Sequence, residues 1–184
     1  MRCGTIRVVN EHLGGTLLVA TPRLVDPNFW RSVVLLLQHD HEEGALGVVL
    51  NRPTLERVET HIPVWGPVAA EPGTVHFGGP VEPQIAIGLA TGQSGEATGV
   101  PGLYVVDLEA PPEPGSGAVR VYSGYSGWGA GQLEAEIEEG SWYVVPAAPD
   151  DPFDRPEGQW SRVLRRQQGY LSLISTFPDD VSQN

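Results

Sequence analysis

The stretch Val33-Val-Leu-Leu-Leu-Gln-His-Asp-His-Glu-Glu-Gly-Ala-Leu-Gly-Val-Val-Leu50 decides the fold class. Val33–Leu37 is β-branched and leucine-rich, which suits a buried strand better than a helix. His39–Gly44 is polar and ends on glycine, and Ala45–Leu50 is apolar again, so the whole reads as a β-hairpin. Asn51-Arg52-Pro53 ends it, because proline cannot donate to a ladder.

Working outward, Thr16–Ala20 reads as another short buried strand, broken by Thr21-Pro22. Asp26-Pro27 predicts the start of a short helix, with aspartate as cap and proline at the first helical position. Leu55, Val58, Ile62 and Trp65 fall at helical spacing, cut short by Pro63. Thr74–Phe77, Ile85–Ala90 and Leu103–Asp107 read as strands. The first two are separated by a Gly78-Gly79-Pro80 turn, and Gly92–Gly102 and Glu109–Gly117 read as loops. A strand over Ala118–Ser123 then leads through a glycine-rich loop, Gly124–Gly131, into a helix over Gln132–Glu139. After Gly140 a strand over Ser141–Val145 follows, and Pro146–Gly158 connects it to a last helix over Gln159–Gln168. Trp160, Val163 and Leu164 form the buried stripe of that helix. Strands early and helices late give an α+β domain with a mixed sheet.

Composition narrows the function. The 184 residues suit one domain. Eleven Lys and Arg against 23 Asp and Glu leave a formal net charge of −12, which repels phosphate backbones and makes direct DNA binding a poor expectation. The lone Cys3 cannot form an internal disulfide and suits a reducing, cytoplasmic setting. Met1–His12 has no apolar core of a signal peptide, and no apolar run is long enough to span a membrane.

Three stretches could carry chemistry. Glycines 127, 129 and 131 before a helix free the backbone to approach a ligand, or simply turn the chain around Trp128. No lysine follows the last glycine, and the helix carries Glu134, Glu136, Glu138 and Glu139, so neither nucleotide-loop pattern is met. Ser126 fails the nucleophile-elbow pattern because Trp128 stands where glycine is required. His39-Asp40-His41-Glu42-Glu43 has metal-capable side chains, but lacks a third ligand at helical spacing and reads first as a polar hairpin tip. His12, His61 and His76 are isolated and read as surface or hydrogen-bonded core residues. Arg162, Arg165 and Arg166 lie opposite the apolar stripe and read as a solvated face.

Several motifs in order resemble the bacterial YqgE/AlgH family. They are Gly15-Thr-Leu-Leu-Val-Ala-Thr-Pro22, Asp26-Pro-Asn-Phe-Trp-Arg-Ser-Val33, Gly44-Ala-Leu-Gly-Val-Val-Leu-Asn-Arg-Pro53, Gly78-Gly-Pro-Val81 and Gly124-Tyr-Ser-Gly-Trp-Gly-Ala-Gly-Gln-Leu-Glu134. The resemblance implies one cytoplasmic α+β domain over 1–184, with a mixed, partly barrel-like sheet and a few short helices. Residues 1–14 would be an N-terminal extension and 178–184 a mobile tail, whose ending only loosely echoes the family's. Some relatives of this type carry a transcriptional-regulator label, though no DNA-binding motif accompanies it.

Two function classes follow. The first is a non-catalytic binding or regulatory module acting through a small molecule or protein partner, with no cofactor or metal. Its site would combine Asp26, Asn28, Arg31, Asn51, Arg52, Gly78, Gly79, Tyr125, Ser126, Trp128, Gly129 and Gln132. Arginines would supply charge, and Tyr125 and Trp128 flat faces. The second is a small hydrolase or transferase around Asp26, Arg52 and Gly127–Gly131, with Asp26, His39 or Glu136 as acid or base; it lacks a recognised nucleophile–base pair.

Overall fold

The computed structural model describes residues 12–92 and 95–178. The expectations for Cys3, for most of the N-terminal extension and for residues 179–184 of the tail lie outside the described residues.

The architecture follows from runs that are apolar at every position. β1 (Thr16–Ala20), β2 (Val33–Asp40) and β3 (Gly44–Val49) pair antiparallel in order. A strand with one wet face alternates; one covered on both faces cannot. Leu17, Val19, Val33 and Leu35 enter one core, with Trp160, Val163 and Leu164. Leu18, Ala20, Val34 and Leu36 enter another, with Trp128, Leu133 and Trp142. The same sheet therefore separates two hydrophobic layers, and its backbone is protected by both.

β4 (Pro53–Arg57), β5 (Thr74–Phe77), β6 (Val81–Thr91), β7 (Glu96–Ala97), β8 (Leu103–Val106), β9 (Val119–Trp128) and β10 (Trp142–Pro146) complete the sheet system. Its main path runs β10-β1-β2-β3-β9-β6-β8-β7, and β5 joins β9 in parallel while pairing β4 antiparallel. β9 links the two halves. Its first residues pair with β6 from Val119↔Ala90 onward, and its last pair with β3 through Ala45↔Trp128. The result is one α+β domain whose mixed sheet curls into a half-barrel.

Three local readings are corrected. Gly124–Gly131 is not a loop from its start: β9 continues to Trp128, because ladder pairing to β3 holds Ser126, Gly127 and Trp128 extended. Asp26–Pro27 opens a single turn and no helix. Phe29 and Trp30 N–H groups both reach the Asp26 carbonyl, but Arg31 has φ of +52°, which ends the turn at once. Leu55 lies on β4 and is exposed, so the helical spacing through Trp65 contains only a four-residue α1 (Val58–His61) and a 3-10 segment (Pro63–Val68).

The helices α2 (Gln132–Glu138), α3 (Gln159–Arg165) and α4 (Tyr170–Ile174) flank the sheet. The α3 arginines do not all form a free solvated face. Arg162 Nε meets Asp154 at 2.9 Å and Arg166 Nη1 meets Asp151 at 2.5 Å, tying the 146–158 connection to the helix. Among the described residues no helix is long and apolar enough to cross a membrane.

Candidate functional site

The sequence-selected residues fall into two assemblies. The first forms around the turn after β1. Asp26 Oδ1 accepts from the Asn28 backbone N–H at 2.8 Å, and both residues are exposed. Asn51, nearly buried after β3, bridges the turn to the sheet: its Oδ1 accepts the Val33 N–H at 3.0 Å and its Nδ2 donates to the Arg31 carbonyl at 2.9 Å. Arg52 donates to the Trp30 carbonyl and to the Asn51 carbonyl. Burial pulls the Arg52 pKa below that of a free guanidinium.

Arg31 completes this side. Its guanidinium carbon stands 4.2 Å from the Trp160 ring centroid, a cation–π arrangement, and its Nη2 donates to the carbonyls of Phe177 (2.6 Å) and Pro178 (2.5 Å). Arg31, Asn51, Arg52, Trp160 and Ser161 line a cleft of about 390 Å³ whose far wall is Pro156–Gly158. Of these, Trp160 and Ser161 were read from sequence only as helix residues. No spacing rule links position 31 to position 160; the stacked pair is made by the fold.

The second assembly is built on close backbone approach. A Cβ on Gly78 would stand 2.3 Å from the Gly124 carbonyl oxygen, and one on Gly79 would stand 2.2 Å from the Tyr125 carbonyl carbon. Ser126 is fully buried in β9 and donates to the Gly78 carbonyl at 3.2 Å. Tyr125 is half-buried and its hydroxyl donates to Glu82 Oε2 at 2.9 Å, which raises the phenol pKa. Trp128 is buried against Phe29 and Trp142. Glu136, a candidate acid or base from sequence, accepts both indole N–H groups, from Trp128 at 2.9 Å and Trp142 at 2.8 Å. Gln132 donates to its other oxygen at 2.9 Å and accepts the Gly129 N–H at 3.1 Å. Gly129 itself is open, the nearest atom to an added Cβ being Gln132 Oε1 at 4.0 Å.

The two assemblies meet through Phe29, which packs on Trp128 and Trp142 from the turn that carries Arg31. They do not share one cleft. Arg31, Asn51 and Arg52 face the cleft beside α3, whereas Gly78, Gly79 and Ser126 lie inside the sheet crossing.

Arg120 and Gln159, both buried, escaped the sequence reading, and His76, read as a surface or hydrogen-bonded core residue, lies in the core. Arg120 is 1 % exposed, and its guanidinium donates to the carbonyls of Pro152 (3.1 Å), Ala70 (3.0 Å) and Glu71 (2.8 Å). Beside it the Tyr122 phenol is pushed up by burial, and His76 is pushed down to about 4 by burial and then by the Arg120 charge. Gln159 is fully buried and donates to the Asp151 carbonyl at 2.6 Å. Polar residues in otherwise apolar strands were the available signal for Arg120 and His76, but nothing in spacing shows that both are covered.

The profile of the AlgH-like family matches residues 17–172, spanning the paired strands and the helices that line both assemblies. The chain belongs to the AlgH-like family. A UPF0301 protein of Streptomyces coelicolor is 54 % identical, over 94 % of this chain and 95 % of that one. A UPF0301 protein of Mycobacterium tuberculosis is 46 % identical, over 92 % and 90 %. The crystal structure of a Corynebacterium diphtheriae protein superposes with a TM-score of 0.81 at 36 % identity, covering 91 % of this chain and 94 % of that one. The solution structure of AlgH from Pseudomonas aeruginosa gives 0.66 at 29 % identity, over 98 % and 100 %. As a member of the AlgH-like family, this chain keeps the curled sheet through both a close and a distant structural relative.

Proposed function

We propose that this AlgH-like protein is a non-catalytic binding or regulatory module whose ligand enters the cleft beside α3. The observation that carries the reading is the convergence of Arg31 and Arg52 from separate segments on one concave site with an indole wall and a hydroxyl. Guanidinium groups recognise carboxylate and phosphate by paired N–H donors, so the ligand class is a small anion. The chain's own charge of −12 makes such a cationic recess local, and favours a metabolite or an acidic protein segment over a DNA duplex. The lining groups are ones that bind and orient. Regulation would then act through the ligand or a protein partner.

The test is thermal unfolding of the full chain with inorganic phosphate, citrate, nucleotides and phosphorylated sugars. A ligand at about 100 times its Kd adds roughly 2.7 kcal/mol, a shift readily seen. Ser161→Trp fills the cleft from the half-buried helix surface, and Arg52→Met removes one cation; both should abolish the shift. A shift unchanged in both variants, or none with any anion, overturns the reading.

A further inference from the structure

On the opposite side of β2 from the cleft residues of α3, the hairpin tip meets α2. His39 Nε2 lies 2.8 Å from Glu134 Oε1, and His41 Nδ1 lies 3.0 Å from the same oxygen. The ligand-type atoms of all three side chains lie within 4.8 Å of one another. We propose that His39, His41 and Glu134 form a binding site for a divalent transition metal of the zinc type. This site is independent of the α3 cleft.

The donor set is two imidazoles and one carboxylate, which suits zinc and other imidazole-loving divalent ions and leaves a further position for water or a ligand. Metal–ligand bonds of about 2.0–2.1 Å at a tetrahedral centre place donor atoms roughly 3.3 Å apart. The two His–Glu134 separations, 2.8 and 3.0 Å, are a few tenths of an ångström shorter than that, so the Glu134 carboxylate would move outward and the exposed His41 ring would adjust around the ion. His39 is held rigid by burial, while His41 is exposed and can adjust. The site borders a cleft of about 700 Å³, walled largely by Val100, Pro101, Ile137, Val144 and Pro146, into which a metal-bound ligand could extend.

One contact makes the proposal specific. His39 Nδ1 accepts the Leu13 backbone N–H at 3.2 Å, so in the metal-free state the neutral ring carries its proton on Nε2 and donates it to Glu134. A metal on Nε2 requires that proton to move to Nδ1, where it opposes the Leu13 N–H. Metal binding and the Leu13–His39 bond are therefore mutually exclusive. Loading the site should release the chain at Leu13, with no net proton lost from His39.

The experiment is isothermal titration of the chelator-treated full chain with zinc chloride alone, accompanied by amide exchange at Leu13. One equivalent should bind, and His41→Ala and Glu134→Gln should each weaken binding at least tenfold. Both side chains are partly or mostly exposed, so the fold tolerates these changes. His61→Ala removes a similar exposed His–Glu pair, with Glu56 at 2.9 Å, and should change nothing. The Leu13 amide should exchange faster in the loaded protein. Absence of a one-to-one isotherm, equal loss in His61→Ala, or an unchanged Leu13 amide in the loaded protein would each overturn the assignment.

Discussion

Acidifying the protein from about pH 7 to about pH 5 brings the solution through the range in which an ordinary imidazole takes up a proton, and His76 is placed to refuse it. The ring is fully buried on β5, stacked edge-on against Tyr122, with Nε2 unpartnered among the described residues. Burial first, and the neighbouring Arg120 charge second, lower its pKa from 6.5 to about 4. The unfolded chain keeps the ordinary value and binds more protons between the two. The stability contributed is therefore present above about pH 6.5 and lost as the pH falls toward about 4. A gap of about 2.5 in pKa corresponds to roughly 3 kcal/mol in full, of which roughly 2 kcal/mol disappears between about pH 7 and about pH 5. Urea unfolding at both pH values measures this directly, with His76→Phe as the comparison because it keeps an aromatic ring and cannot titrate. The variant should lose less stability on acidification by about that amount, whatever its stability at neutral pH. Equal losses in the two proteins, or an NMR titration placing the His76 pKa near 6.5, would refute the reasoning.

Further expected outcomes are open to simple measurement. Asn51→Ala strips the buried Val33 N–H of its acceptor and frees the turn at Arg31, which should cost about 1–3 kcal/mol in chemical denaturation. Glu136→Ala leaves the Trp128 and Trp142 indoles without acceptors and should cost about 2–4 kcal/mol, with a change in tryptophan fluorescence; Glu136→Gln, which keeps an acceptor oxygen, should lose less. Gly78→Ala should destabilise by at least about 2 kcal/mol because its Cβ would press on the Gly124 carbonyl. Gly129→Ala should leave the melting temperature within a degree or two, since the nearest atom to the added carbon, Gln132 Oε1 at 4.0 Å, is at ordinary contact distance and nothing is pressed.

Much of the fold was legible because its cause is local. The runs at 16–20, 33–37 and 45–50 are apolar at nearly every position, and such runs bounded by turns become buried strands in almost any context. The α3 stripe of Trp160, Val163 and Leu164 was legible for the same reason, as a helical period. The path of β9 was not. Glycines at 124 and 127 read as a loop locally, yet Leu46↔Gly127 and Gly47↔Ser126 pairing keeps the chain extended where propensity alone would release it. Leu55 likewise fitted a helical period, but β4 pairs with β5 through Pro53↔His76 and leaves that side chain in solvent.

The candidate cleft divides along the same line. Arg31, Asn51 and Arg52 stood out as polar residues at chain reversals, where core packing has no use for them. Their relation to Trp160 and Ser161 is invisible in a chain that separates them by more than a hundred positions. His39 and His41 were likewise marked as metal-capable, while Glu134 was counted among the acids of a helix and never as their partner. The sequence by itself determined the burial of β1 to β3, the acidic balance and the family, because each depends on residue type and short spacing. Tertiary structure alone decided which cations share a cleft with an indole, which carboxylate meets the histidines, and which histidine is sealed from water. Those depend on the curl of one sheet bringing distant segments within a few ångströms, where desolvation and charge act over distances that spacing along the chain does not measure.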